Sequence, residues 1–161
     1  MAVFDAKLKC TQSRKNGKCN LQGYELTEIP PQLLAPFDNL EGNELPQYVM
    51  LLKTLNLNDN ELTSIPDDVG GIGEELVTLE LRNNQLTRLP AALSALAGLK
   101  LIDASNNAIE AVEELALSNL VELNVSKNKL VSLALPSSGL ATLARLNLSH
   151  NGLEALPDAV G

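Results

Sequence analysis

Few side chains in this sequence are of the types that do chemistry, and their placement works against it. His150 is the single histidine, while the two cysteines, Cys10 and Cys19, lie near the opposite end of the chain. A thiol–imidazole pair needs both groups within hydrogen-bond reach, and a metal site needs several such ligands gathered in one place. The glycine-rich run Gly70-Gly71-Ile72-Gly73 lacks the lysine and the preceding buried strand of a phosphate-binding loop, and reads as a loop within a long repeat. No catalytic residue, metal or cofactor is assigned, and no enzymatic activity is expected.

The side chains that recur are amides. Asn60, Asn84, Asn107, Asn128 and Asn151 follow one another at intervals of 24, 23, 21 and 23 residues. An asparagine offers donors and an acceptor on a short stem, so it can turn inward and satisfy backbone groups where a chain leaves a strand. Regular recurrence predicts a structural ladder between layers, with no ligand role for these five.

The elements that hold such a ladder follow from the rest of the unit, L-x-x-L-x-L-x-x-N-x-L-x-x-L-P-x-x-L. It begins at Leu52, Leu76, Leu99, Leu120 and Leu143. Positions four, six, eleven and fourteen are aliphatic in all five copies; the fourth, for example, reads Leu55, Leu79, Ile102, Leu123, Leu146. Positions four and six flank an outward residue, the period of a strand with one buried face. One unit is too small to bury its own leucines, so neighbours must stack and share a core. Composition agrees: 45% of residues are hydrophobic but only 2% aromatic, so many small leucine layers fill the interior. After position fourteen, Pro66, Pro90 and Pro157 suit the turn away from the strand. The third unit has Glu113 and Glu114 there, and the fourth has Pro136 displaced by two. Ala91–Ala97 can form a helical turn, whereas Pro136–Gly139 cannot easily, so the far side is expected to be irregular in units three and four.

The organisation expected is residues 1–51 as an N-terminal helix with divergent capping repeats, then 52–161 as five repeats, the last incomplete. Cys19, Leu21, Leu26, Ile29, Pro30 and Leu33 fit a first repeat with Tyr24 in the asparagine slot. The stretch 35–51 is either a second degenerate unit or an insertion. All four aromatics, Phe4, Tyr24, Phe37 and Tyr48, precede residue 50, where they are expected to plug the open end beside a helix around Ala2–Arg14. Asp158–Gly161 aligns with Asp67–Gly70, so the sequence stops partway through a unit. Either the natural chain continues or a partner covers that end.

From Asn16 onward the sequence resembles the leucine-rich repeat family. Arg14–Leu33, with the L-T-x-[IL]-P pattern at Leu62–Pro66 and Leu86–Pro90, looks like small cytosolic members of the Ras-suppressor and plant intracellular Ras-group-related type. The resemblance implies an α/β repeat solenoid, a right-handed horseshoe with a concave parallel sheet and a convex side of turns and short helices. It also implies an adaptor that binds another protein. Residues outward on the concave strands are then the candidate site: Asn56, Asn58, Glu80, Arg82, Leu101, Asp103, Glu122, Asn124, Arg145 and Asn147. Glu80, Asp103 and Glu122 form an acidic strip among them, which favours a partner with a basic surface.

Charge narrows the partner further. Residues 1–20 carry five basic side chains against Asp5 alone, while the other 141 residues hold 7 basic and 19 acidic, a net of −12. Such a body repels nucleic acid and anionic lipid. No segment approaches the ~20 apolar residues of a membrane span, no signal-like apolar run opens the chain, and the four-cysteine cap typical of secreted relatives is missing. A cytoplasmic location is expected. The sequons at Asn124 and Asn147 then read as by-products of the repeat.

Overall fold

The computed structural model describes residues 17–34, 52–133 and 142–154. Position four of each repeat must face inward between two outward neighbours, and three-residue strands form around it. These are β1 (Lys18–Asn20), β2 (Thr54–Asn56), β3 (Thr78–Glu80), β5 (Leu101–Asp103), β7 (Glu122–Asn124) and β8 (Arg145–Asn147). They pair in that order as one parallel sheet, each strand in register with the same three positions of the next. The fold is a leucine-rich repeat solenoid with its sheet on the concave side.

Behind the sheet the leucines of successive layers merge into one continuous core. Leu55, Leu57, Leu62, Leu76, Leu79, Leu81, Leu86 and Leu89 are each at most 1% exposed, a burial that no single unit of this size reaches alone. Cys19 is the middle residue of β1, in register with Leu55 at position four of the next repeat, and is buried in the same cluster, with Tyr24 packed against its edge. In the last described layer Leu143, Leu146, Leu148 and Leu153 are only partly buried.

Because β1 hydrogen-bonds directly to β2 (Lys18 opposite Thr54, Asn20 opposite Asn56), no layer lies between them. The stretch 35–51 therefore contributes no layer between these two strands. Its residues, with the N-terminal segment bearing Phe4, Cys10 and the expected helix, and the last seven residues, lie outside the described part of the structure.

The convex side changes from unit to unit. A short helix α1 (Pro31–Leu34) packs on a 3-10 helix at Asp67–Ile72, which packs in turn on another at Ala91–Ala95. Close approach explains the glycine run: a Cβ on Gly71 would stand 1.8 Å from the Leu34 carbonyl oxygen, and one on Gly70 would stand 2.8 Å from Ala95 Cβ. Gly73 has φ of 110°, a region closed to most side chains. These glycines serve packing.

The third unit has no such helix. Instead β6 (Ala111–Val112) pairs in parallel with β4 (Arg88–Leu89), forming a two-stranded sheet. Glu113, in the slot that Pro66 and Pro90 hold elsewhere, accepts from Arg88 Nη1 at 2.9 Å and from the Ala91 N–H at 2.9 Å. Its carboxylate thus caps the first N–H of the neighbouring unit's helix, a job proline cannot do. The corresponding part of unit four, 134–141, lies outside the described residues.

Candidate functional site

The sheet register sets the outward residues in two rows, with adjacent members about 4.8 Å apart across the strands. The first row runs Lys18, Thr54, Thr78, Leu101, Glu122, Arg145; the second runs Asn20, Asn56, Glu80, Asp103, Asn124, Asn147. All ten candidate residues lie at these strands or within two residues of their ends, so the sheet does gather them on one face. Their side chains do different things there.

In the second row most are folded back on their own chain. Oδ1 of Asn56, Asp103, Asn124 and Asn147 accepts from the backbone N–H two residues on, at Asn58, Ser105, Ser126 and Ser149, over 2.9–3.1 Å. Asn20 does the same for Gln22 at 3.0 Å. This is an Asx turn, available only to a side chain as short as Asn or Asp. Ser126 and Ser149 also donate Oγ–H to the same oxygens, at 2.8 and 2.9 Å. The N-x-S sequons are therefore turn-closing pairs. Ser105 and Ser126 are buried there, at 6% and 7% exposure, while Ser149 in the last described layer is exposed.

Glu80 is the exception. Its longer stem carries the carboxylate away from the backbone, where Oε2 accepts from Asn58 Nδ2 at 3.0 Å. Asn58 Oδ1 takes over the turn bond, accepting the Arg82 N–H at 2.7 Å.

Glu122 is not a free acid either. Arg145, its register partner, donates Nε at 2.8 Å and Nη2 at 2.5 Å to its Oε2. The acidic strip thus contracts to Glu80 and Asp103, directly opposite each other on β3 and β5. Neither has an ion-pair partner among the described residues, where the two ion pairs are Arg88–Glu113 and Arg145–Glu122. Leu101, half-buried, lies beside Thr78 on the same two strands.

Position eight carries a feature that the repeat alone does not advertise. Asp59, Asn83, Asn106, Lys127 and His150 all have φ of 55–56°. Asp and Asn tolerate this left-handed region better than other side chains, and their prevalence in the column was the available signal. The first three also chain together: Asn106 Nδ2 donates to Asn83 Oδ1 at 2.6 Å, and Asn83 Nδ2 to Asp59 Oδ1 at 2.5 Å. Gln22 Nε2 donates to Asp59 Oδ2 at 2.5 Å. The bonds from Asn83 and Gln22, aided by the charge of Arg82, hold the Asp59 carboxyl below its ordinary pKa. His150 is exposed at the end of this column, and no group of metal-ligating side chains assembles among the described residues.

The inward asparagines run between layers. Asn84 donates to the Leu57 and Leu81 carbonyls, both at 3.0 Å, and accepts the Leu62 N–H at 3.1 Å. Asn60, Asn107, Asn128 and Asn151 repeat this pattern. Each carbonyl between two layers is shared: Leu57 O accepts from Asn60 and Asn84, and Ala104 O from Asn107 and Asn128. Every polar atom of the ladder is used, which leaves it nothing to offer a ligand.

Comparison with known proteins agrees with this architecture. A model of the leucine rich repeat matches residues 51–109. An adenylate cyclase of Podospora anserina is 32% identical over 114 residues, 71% of this chain but 5% of that protein. A leucine-rich repeat protein of Leptospira interrogans superposes with a TM-score of 0.52 and 27% identity, covering 88% of this chain and 45% of that one. The Arabidopsis receptor kinase HAESA, solved with a peptide hormone and a co-receptor, gives a TM-score of 0.58 and 29% identity over 77% of this chain and 19% of that one. The chain spans a twentieth of the cyclase and less than half of either solved neighbour. Among the described residues no helix is long and apolar enough to cross a membrane.

Proposed function

We propose that this leucine-rich repeat protein is a non-catalytic binding module that holds another protein on its concave sheet. Leucine-rich repeat domains mediate protein–protein contacts; the choice of face is the proposal. The observation that carries it is Glu80 beside Asp103, two half-buried carboxylates on adjacent strands with no cation against them among the described residues. Like charges directly opposite are unfavourable by roughly 0.2–1 kcal/mol, and a basic partner turns that penalty into attraction. Support also comes from the HAESA structure, which holds a peptide ligand. The acidic body speaks for a protein partner over nucleic acid. A cytoplasmic setting, in the manner of the small Ras-suppressor-like members that Arg14–Leu33 resembles, is part of this proposal.

A second reading is a subunit docked into a larger assembly through its convex side and its last described layer, or a piece of a longer signalling chain. It is favoured by the partial burial of Leu146, Leu148 and Leu153, whose counterparts in inner layers are closed. One experiment separates the two. A photo-crosslinking amino acid is placed at position 78 on the sheet, at 87 on the exposed flank, or at 153 in the last layer, and a native extract is irradiated. Adducts from 78 alone support the concave site. Adducts from 153 alone select the second reading, and adducts from 87 alone refute both.

A further inference from the structure

The four residues Thr78, Leu101, Glu80 and Asp103 form a small square on the sheet, two from β3 and two from β5. One edge pairs Leu101 with Thr78 and the opposite edge is acidic. Along a strand, same-face residues are about 6.7 Å apart. Around the square the neighbouring strands offer no free charge: Asn56 and Asn124 are neutral amides closed into their turns, and Glu122 is paired with Arg145. Arg82, two residues beyond Glu80, is in neither of the ion pairs found among the described residues.

We infer that the square recognises an extended peptide segment bearing a lysine or arginine two residues from an aliphatic side chain. This rests on the concave reading above and says what occupies it. The cation lies between the Glu80 and Asp103 carboxylates and converts a repulsion into two charge-assisted contacts. The aliphatic group covers Leu101 and the Thr78 methyl. The spacing between the two edges is that of residues i and i+2 of an extended chain lying along the strands. The sheet's own backbone groups in β3 and β5 are already paired on both sides, so recognition runs through side chains rather than by adding a strand.

A neutral variant isolates the charge. Asp103→Asn keeps the oxygen that accepts the Ser105 N–H, as asparagine does in neighbouring layers, and Glu80→Gln keeps an acceptor for Asn58 Nδ2. The probe is a displayed library of random heptapeptides selected on the wild-type protein, with hits measured by fluorescence anisotropy against wild type, E80Q/D103N and Leu101→Arg. Hits are expected to carry the cation-x-aliphatic pattern and to weaken about tenfold or more on E80Q/D103N, the equivalent of about 1.4 kcal/mol. Binding to wild type is expected to fall as salt rises. Hits that Leu101→Arg abolishes but E80Q/D103N leaves intact would overturn this inference and preserve the concave site. Hits indifferent to both variants, or no hits, would count against both.

Discussion

Asparagine recurs in two rows, the inward one at position nine and the concave one at position five, and serves opposite ends in them. The inward asparagines reach across 19–39 residues of sequence to bind one layer to the next. The concave ones reach two residues and close a turn within their own layer. The first arrangement holds the stack together; the second only shapes its surface. Burial separates them, since an inward amide that is lost leaves a core donor without water to replace it, while solvent can stand in on the concave face.

The largest effect that could break this contrast is at the inward row. Asn84→Ala orphans the buried Leu62 N–H and removes a donor from two carbonyls, and is expected to destabilise by about 2–4 kcal/mol. Urea unfolding of the variant measures it, and a loss under 1 kcal/mol would place the two rows on the same footing. Asn147→Ala is expected to cost about 0.5–1 kcal/mol in the same assay, since the exposed Ser149 loses only a turn partner. Lys127→Gly relieves a left-handed φ of 55° without touching either row, and should gain about 0.5–1 kcal/mol.

Next comes E80Q/D103N, which leaves both rows' bonds in place and removes a like-charge pair, for a gain of roughly 0.2–1 kcal/mol at neutral pH. The smallest effect concerns Asp59, whose carboxyl is held below its ordinary pKa of 3.8 by Asn83, Gln22 and Arg82. A depressed folded-state pKa contributes stability above the unfolded value and loses it as pH falls through the folded one. Asp59→Asn should therefore flatten the acid limb of the pH–stability profile below about pH 4. An unchanged limb would mean the position-eight chain is not formed in solution.

How much of this was legible in the sequence follows the same contrast. Leu55, Leu79, Ile102 and Leu123, and the inward asparagines beside them, announce themselves because stacking forces each layer to copy its neighbour. Alternation says only which way a side chain leaves the strand, not whether a short one then bends back to its own backbone, so Asn56 and Asn147 read as open surface. The Glu122–Arg145 pair was present in the columns, as an acid followed by a base at one position, but it takes register to make them neighbours. Glu113 and Gly71 act between convex segments that do not copy one another, and no period reveals them. Weak leucine echoes in 35–51 leave open in the sequence whether a layer stands there; the pairing of β1 with β2 shows that none lies between these two strands.

The shared carbonyls of the ladder have a consequence for cooperativity. Each rung couples a layer only to the ones beside it, so the stack behaves as a row of units with nearest-neighbour terms, like spins on a line. Weakening one coupling does not soften the whole molecule evenly. A cut at Asn84 should divide the row into two blocks that open separately, with amide exchange accelerating more on the side holding fewer layers.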